Sequence, residues 1–379
     1  MRAEAELLCI CARTHIVADD AMRARQLSGM VDWERLLKLA LRHGVLPLLS
    51  QQLNATCADL LPADVSARLH DLFYANAARN QRLTAELCRL LELFAAHAVK
   101  AIPYKGPVLA LQAYGDLALR QFNDLDVLIR REDVPRVVAL LRAEGYRQQW
   151  QLTRAQEAAY LRTDCERLFT HEQARIFLDV HWAFVRSYFP VKLAPEAFWA
   201  RTETLALDGT TVASFAPEDL LVILCVHAGK DLWARLVWVC DVAELIRACP
   251  QLDWSRVTQT ATTAGVRRML NLGLLLAHQL LNIELPADIQ RHVQADQTIK
   301  RLSQQVRERM FRDEDDSISA LTECLFHFRL QARLRDKARY TLRYTLTTNP
   351  ADWAFLSIPD QLFFLYRALR PLRLLSKRR

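Results

Sequence analysis

The sequence lacks the features of zinc-binding, secreted and membrane-spanning proteins. Its nine cysteines are scattered and include no Cys-x-x-Cys pair, which argues against a zinc site or a disulfide framework. The longest unbroken apolar run, Leu220 to Val226, is too short to cross a bilayer. The first residues include Glu4 and Glu6, and no small-residue cleavage site follows them. We therefore expect a cytoplasmic protein with reduced thiols, no signal peptide and no transmembrane segment.

Glycine is also scarce, with 9 residues in 379. The sequence contains no P-loop, no dinucleotide-binding fingerprint and no Ser/His/Asp nucleophile arrangement. At 51% hydrophobic and 25% charged residues, the composition is that of a globular protein with a large buried core. Any enzymatic activity must therefore depend on other motifs.

Positive charge is modest overall and is concentrated at the C-terminus. The net charge of +7 is weak support for a polyanionic partner, and it suits an enzyme that handles phosphates equally well. The basic residues of the tail are Arg367, Arg370, Arg373, Lys377, Arg378 and Arg379. Apolar residues interleave with them, so the tail either docks on the body as a helix or contacts nucleic acid or a membrane surface. Because no RNA-binding module is recognisable, we do not expect a nucleic-acid partner.

Hydrophobic periodicity divides the chain into three regions. Residues 1–98 and 217–379 show the three-and-four spacing of amphipathic helices, whereas residues 99–216 contain alternating, strand-like runs. The dipeptide Asp208-Gly209 between two β-rich runs predicts a hairpin. The pattern therefore predicts an α+β fold, with a small mixed sheet between an N-terminal and a C-terminal helical region.

Two aspartates alternate along one predicted strand, Asp124-Leu-Asp126-Val-Leu-Ile129. The two-residue period places both carboxylates on one face while the apolar residues between them face a core. Neighbouring unpaired carboxylates repel each other and are costly to desolvate, and a divalent cation such as Mg²⁺ offsets both costs. The same spacing at Asp313-Glu-Asp315 lies in a charged cluster without apolar strand residues. The alternative for Asp124 and Asp126 is a solvated strand end.

A third carboxylate occupies a later strand-like run, Ile176-Phe-Leu-Asp179-Val-His181-Trp182. In a two-metal site, such a residue holds the ion that activates an attacking hydroxyl. His181 follows the same alternation and points the same way. A salt bridge from Asp179 to a neighbour such as Arg175 is the alternative.

A tight turn with a helix start precedes the first two aspartates, at Lys105-Gly106-Pro107. A helix N-terminus offers free backbone N–H groups to an anion, although the proline removes one of them. Lys105 could add a positive charge, or it could be an exposed turn residue. Arg120 could bind a phosphate bidentately, or it could pair with Asp116 or Asp124.

Together these motifs resemble nucleotidyltransferases of the polymerase-β type, and more closely a poorly characterised bacterial branch of that superfamily. The matching central motifs are Lys105-Gly106, Tyr114-Gly115-Asp116, Arg120 and Asp124-Leu-Asp126. The later matches are Asp179-Val-His181-Trp182 and the helix Pro217-Glu-Asp219 with His227, Trp233, Leu236, Trp238 and Asp241. Superfamily members that modify antibiotics carry Gly-Gly or Gly-Ser where this chain has Lys-Gly.

The resemblance implies a reaction class: a nucleoside monophosphate passes from a nucleoside triphosphate, with ATP expected, to an acceptor, and pyrophosphate leaves. It implies a polymerase-β-like core over residues 99–216 and two Mg²⁺ ions. The implied catalytic and metal-binding residues are Asp124, Asp126 and Asp179. The implied nucleotide-binding residues are Lys105, Gly106, Arg120, His181 and Lys230. The acceptor is expected to be a small molecule or a protein.

Two alternatives stay open. On the helix beginning at Pro217, His227 and Lys230 could contact phosphate or acceptor, or they could form buried hydrogen-bonded pairs between helices. The whole protein could also be a catalytically degenerate scaffold subunit. Retention of all three aspartates argues against that possibility, and the altered Lys-Gly turn argues slightly for it.

Overall fold

The computed structural model describes residues 2–312 and 319–376 of the chain. The acidic turn at Asp313–Asp316 and the basic residues Lys377, Arg378 and Arg379 lie outside the described residues. The helices are α1 (Ala3–Cys11), α2 (Ala18–Ser28), α3 (Trp33–His43), α4 (Leu46–Thr56), α5 (Ala63–Ala96), α6 (Gly106–Tyr114), α7 (Val134–Ala143), α8 (Arg154–Thr163), α9 (Glu196–Trp199), α10 (Pro217–Lys230), α11 (Leu236–Ala248), α12 (Trp254–Ala264), α13 (Arg267–Leu281), α14 (Ala287–Ala295), α15 (Gln297–Met310), α16 (Ala320–Leu330), α17 (Leu334–Leu346), α18 (Pro350–Phe355) and α19 (Leu365–Ser376). The strands are β1 (Ala101–Pro103), β2 (Asp124–Ile129), β3 (Arg147–Gln148), β4 (Glu166–His171), β5 (Ile176–His181), β6 (Thr202–Leu207) and β7 (Thr210–Phe215).

Five strands form a mixed sheet in the order β1-β2-β5-β4-β3, and β6 and β7 form a separate hairpin. The central pair, β2 and β5, is parallel, and the other neighbours are antiparallel. The hairpin turns at Asp208 and Gly209, which both have positive φ, as a two-residue turn of this kind requires. These findings confirm the predicted α+β fold with a small mixed sheet.

The alternation along β2 holds as predicted. Leu125, Val127 and Ile129 are fully buried in one apolar core, whereas Leu128 belongs to a second core on the other face. The first core also contains the C-terminal part of α5, together with apolar residues of α7 and α8. The second core contains the apolar faces of α1, α3, α4, α10, α11 and α13. The sheet therefore lies between two cores, and Asp124 and Asp126 are on the side of the second core.

The N-terminal and C-terminal helical regions share that second core, because residues of α1 to α4 and of α10 to α15 pack in it together. The division into residues 1–98, 99–216 and 217–379 stays a prediction. Within the described residues, no helix is both long and apolar enough to span a bilayer. None of the nine cysteines forms a disulfide, and seven of them are buried.

The C-terminal helix docks on the body, in agreement with one of the two predictions for the tail. Arg370 and Arg373 are buried, and both donate to the carboxylate of Asp352 at the start of α18. Tyr366 of α19 is buried in the first core. Two of the basic residues of the tail are therefore structural, and Arg367 is exposed.

Candidate active site

A cavity of about 340 Å³ opens between the sheet and the helices α10 and α11. The charged and imidazole side chains in its wall are Lys105, Arg120, Asp124, Asp126, Glu166, Asp179, His181, His227, Lys230, Asp231 and Arg235. Seven of the eight residues predicted for the site line this cavity, and Gly106 is adjacent to Lys105 in the chain. The structure therefore gathers the predicted residues in one place.

Strand register brings the aspartates of the two predicted strands together. In the parallel β2–β5 pair, Asp126 lies directly opposite Asp179, and Leu128 lies opposite His181. Ligand atoms of Asp126, Asp179 and His181 lie within 4.8 Å of one another. Asp124 is two residues earlier on the same face and also lines the cavity. A one-residue slip of either strand would turn its carboxylates away from the cavity.

Asp126 is buried and accepts from two donors through the same oxygen. Lys105 Nζ lies 2.5 Å from Oδ1, and His181 Nε2 lies 3.0 Å from it. Burial alone would raise the pKa of Asp126, but the Lys105 ammonium and the His181 hydrogen bond hold it well below its usual range. Asp126 is therefore ionised at neutral pH.

The pKa of Asp179 is shifted in the direction opposite to that of Asp126. Burial and the nearby charge of Asp126 raise the pKa of Asp179 to about 7. The same two causes also raise the pKa of Asp124 above its usual value. Within the described part of the chain, no cationic side chain forms an ion pair with Asp179, and the alternative pairing with Arg175 is not found. The face of the sheet therefore carries more negative charge than its neighbouring cations neutralise.

The turn before α6 explains how Lys105 reaches this face. Gly106 has φ of +56°, and a Cβ there would lie 3.3 Å from the carbonyl oxygen of Asp124. Glycine therefore allows the turn to approach β2 closely. Lys105, the residue before α6, is buried and points to Asp126, so the alternative of an exposed turn lysine is wrong.

Glu166 is a cavity residue that no sequence motif marks. It begins β4 and pairs with His181 across the antiparallel β4–β5 ladder. Its Oε2 lies 3.2 Å from Lys230 Nζ and 3.2 Å from His181 Nδ1. Burial opposes its ionisation, but Lys230 and His181 hold the pKa of Glu166 well below its usual range. Lys230, predicted from the helix pattern, is therefore paired with an acid of the cavity.

Arg120 forms a buried ion pair with Asp241, and not with Asp116 or Asp124. Its Nε and Nη2 donate to the two oxygens of Asp241 on α11, at 2.7 and 2.8 Å. Tyr114 Oη donates to the same carboxylate at 2.7 Å. This bidentate pair ties the loop before β2 to the helical side of the cavity. Asp116 instead accepts from the backbone N–H of Ala118.

The far wall of the cavity comes from α10, α11 and the corner between them. His227 Nδ1 lies 3.6 Å from Asp231 Oδ2, and its ring meets Trp238 edge to face. Burial and two nearby lysines lower the pKa of His227 well below its usual value, so its imidazole is neutral at neutral pH. His227 and Lys230 are therefore paired with Asp231 and with Glu166 of β4, not with a side chain of another helix, and both line the cavity. A contact with phosphate or acceptor stays a prediction.

The corner after α10 is held in an unusual backbone conformation. Leu232 and Trp233 both have positive φ, which costs about 1–3 kcal/mol for each residue outside glycine. The fully buried Trp233 donates its backbone N–H to Ala228 at 2.7 Å, and His327 bonds the carbonyl oxygen of Lys230 at 2.8 Å. These contacts fix the ends of α10 and α11 that carry the cavity residues.

The donor set fits a divalent cation of the Mg²⁺ type. Asp126 and Asp179 present hard carboxylate oxygens from directly opposed strand positions, and Asp124 adds a third on the same face. His181 Nδ1 is buried and makes no hydrogen bond, although Glu166 lies within ion-pair distance of it. Excess carboxylate charge at a partly open cavity is the situation that a bound cation relieves.

Comparison with known proteins places the chain in a family. The profile of a family described as uncharacterised nucleotidyltransferase matches residues 29–282. Among solved structures, the chain is similar to the lincosamide antibiotic adenylyltransferase LnuA, solved with lincomycin bound, at 17% identity and a TM-score of 0.30. That alignment covers 42% of this chain and 94% of LnuA. A likeness of that level says nothing about the acceptor of this chain. No curated protein matches the sequence.

Proposed function

Because this chain belongs to the uncharacterised nucleotidyltransferase family, we propose that it transfers a nucleoside monophosphate from ATP to an acceptor hydroxyl in the cytoplasm. The acceptor oxygen would bond to the α-phosphorus, the bond from that phosphorus to the bridging oxygen would break, and pyrophosphate would leave. One observation carries the proposal: Asp126 faces Asp179 across the β2–β5 pair in a cavity that also holds lysine and arginine side chains. The acceptor would be a small molecule or a protein.

Asp124, Asp126 and Asp179 are the residues that would hold Mg²⁺, with two ions expected. When bound, Mg²⁺ neutralises charge on the triphosphate and makes the attacking hydroxyl more acidic. His181 would orient Asp126 through the hydrogen bond from Nε2 to Oδ1.

Asp179 would take the proton of the acceptor hydroxyl. Within the described residues it is not tied up in an ion pair, in contrast to Asp126, and its raised pKa makes it a stronger base than an ordinary aspartate. Glu166 is less suited to this role, because Lys230 holds it ionised and occupies one of its oxygens.

The phosphate groups would be bound by the turn before α6 and by the cationic side chains of the cavity. The N-terminus of α6 offers backbone N–H groups beside Gly106. Lys105 and Lys230 would add charge, and Arg120 would contribute from its pair with Asp241. Catalysis would then depend mainly on positioning and on neutralising the charge of the leaving pyrophosphate.

A degenerate scaffold subunit is the second candidate, and one observation favours it. Lys105 already neutralises Asp126, as expected of a protein in which an ammonium has permanently replaced a metal ion. The two candidates differ in whether a nucleotide binds in a metal-dependent way.

A thermal-shift panel with ATP, GTP, CTP and UTP, each with and without Mg²⁺, tests the proposal. We expect ATP with Mg²⁺ to raise the melting temperature of the wild type, because a ligand that binds the folded state stabilises it. Asp126→Asn should lose this shift. Asp71→Asn, the same substitution at an 84% exposed side chain on α5, should keep it. If no nucleotide shifts the wild type, the scaffold candidate is favoured.

A further inference from the structure

Lys105 holds an oxygen of Asp126 that a metal ion could also use. Its ammonium lies 2.5 Å from Asp126 Oδ1, and Asp126 belongs to the group of side chains that could hold a cation. A divalent ion bound to the same oxygen would meet the ammonium at close range. Two cations cannot both approach one carboxylate oxygen without strong repulsion.

The other buried cationic side chains of the cavity wall also form ion pairs with carboxylates. Lys230 lies on Glu166, and Arg120 lies on Asp241. Neither of those carboxylates belongs to the group Asp126, Asp179 and His181. Of these three pairs, the Lys105 pair is therefore the one with which a metal ion at this group would compete.

The position of Lys105 gives its ammonium a second place to go. Lys105 directly precedes α6, whose N-terminus is where phosphate oxygens are expected. The lysine side chain is a point charge on a flexible four-carbon stem, so it can turn from Asp126 to a phosphate without moving the backbone. Released from the carboxylate, it would stay in the cavity as a phosphate ligand.

We propose that Lys105 is a built-in counter-ion that competes with divalent metal for Asp126 and moves to the triphosphate when metal and nucleotide bind together. This inference rests on the proposed function. A metal ion alone then binds weakly, because the displaced ammonium of Lys105 has no phosphate to bind. Metal with nucleotide binds more tightly, because the phosphates receive the displaced charge. The two ligands therefore bind cooperatively.

Mn²⁺ titration of the full-length protein, followed by the electron paramagnetic resonance signal of free Mn²⁺, tests this without any turnover. Without nucleotide, we expect Lys105→Met to bind Mn²⁺ at least about tenfold more tightly than the wild type, which corresponds to about 1.4 kcal/mol. Lys105→Arg keeps the charge and should bind like the wild type. Lys100→Met removes one exposed charge just before β1 and should change the affinity by less than about twofold.

A non-hydrolysable ATP analogue provides the second arm. In the wild type it should tighten Mn²⁺ binding strongly, and in Lys105→Met the increase should be several-fold smaller, because the displaced charge is missing. If Lys105→Met binds Mn²⁺ no more tightly than the wild type, the counter-ion role is overturned. Lys105→Gln provides the same comparison with a polar side chain if the methionine variant does not fold.

Asp126→Asn separates failure of this inference from failure of the proposed function. If Asp126→Asn abolishes Mn²⁺ binding while Lys105→Met leaves it unchanged, the metal site stands and the competition with Lys105 is overturned. If Asp126→Asn binds Mn²⁺ as the wild type does, there is no metal site at Asp126, and both proposals fail.

Discussion

Two buried ion pairs stand at the same cavity and differ in how completely each is satisfied. The Arg120 guanidinium meets Asp241 through two parallel hydrogen bonds, and Tyr114 donates a third to that carboxylate. The Lys105 ammonium meets Asp126 through one oxygen, which it shares with His181, and two further aspartates lie nearby. We call Arg120–Asp241 the closed pair, because its hydrogen bonds satisfy both charged groups. We call Lys105–Asp126 the open pair, because negative charge beside it stays uncompensated.

The difference shows that burial of an ion pair does not by itself indicate function. Buried pairs with satisfied geometry commonly fix how elements pack, and removing one partner costs stability. A pair beside unpaired carboxylates can exchange its cation for another one. The excess of carboxylates over nearby cations, more than the ion pair itself, therefore marks β2 and β5 as the chemical part of the cavity.

The largest effect should come from breaking the closed pair. Arg120→Met leaves Asp241 buried without its cation and should lower the free energy of unfolding by about 3–5 kcal/mol. Urea unfolding at pH 7 measures it, and 10 mM Mg²⁺ should not restore the loss. A loss below about 1 kcal/mol would contradict the structural role given to this pair.

Breaking the open pair should cost less, and metal should restore the lost stability. Lys105→Met leaves Asp126, Asp124 and Asp179 with less compensation, and we expect a loss of about 2–3 kcal/mol in metal-free urea unfolding. Saturating Mg²⁺ should restore about 2–3 kcal/mol, the amount expected at 100 times the dissociation constant. If Mg²⁺ restores the unfolding free energy of Arg120→Met by the same amount, the two pairs do not differ in their response to metal.

A smaller effect on the free energy of unfolding should depend on pH, because Asp179 ionises near neutral pH. Its pKa is raised from the ordinary 3.8 to about 7 in the metal-free protein. Between these values the folded state holds a proton that the unfolded chain has lost, so raising the pH through this range weakens the folded state. Asp179→Asn never ionises and should therefore exceed the wild type in unfolding free energy at pH 8, by on the order of 2 kcal/mol. The difference should shrink toward pH 4, and a difference independent of pH would contradict the assignment.

The smallest effect serves as a reference for the comparison. Arg147 and Glu172 form an exposed pair whose side chains are 73% and 68% accessible. Arg147→Met should change the free energy of unfolding by no more than about 0.5 kcal/mol, because water and salt screen such pairs. A larger change would mean that charge removal in general destabilises this protein.

The sequence was informative where the relevant signal is local. The alternation along β2 and β5, the turn at Gly106 and the hairpin at Asp208-Gly209 each depend on a few adjacent residues, and the structure contains all three. Period-two alternation also placed Asp124 and Asp126 on the face opposite to Leu125 and Val127.

Contacts between residues that are distant in the chain could not be predicted from such local patterns. The protein partners considered for Arg120 were the nearby Asp116 and Asp124, beside a phosphate, but its partner Asp241 is 121 residues away on a helix that packs across the cavity. Glu166 was missed because it is a single carboxylate at the first position of β4 and belongs to no motif. Its role arises from antiparallel register opposite His181, and register between strands leaves no local signal.

The opposition of Asp126 and Asp179 also bears on the order in which the sheet assembles. Closing β2 against β5 brings together residues far apart in the chain, such as Asp126 and His181 at a separation of 55, and contacts of that kind form late and slowly. Two facing carboxylates repel during that step. Lys105 is only 21 residues from Asp126, so it can neutralise β2 before β5 arrives. The ammonium beside Asp126 would thus let a newly made chain complete its central strand pair before any metal ion is bound.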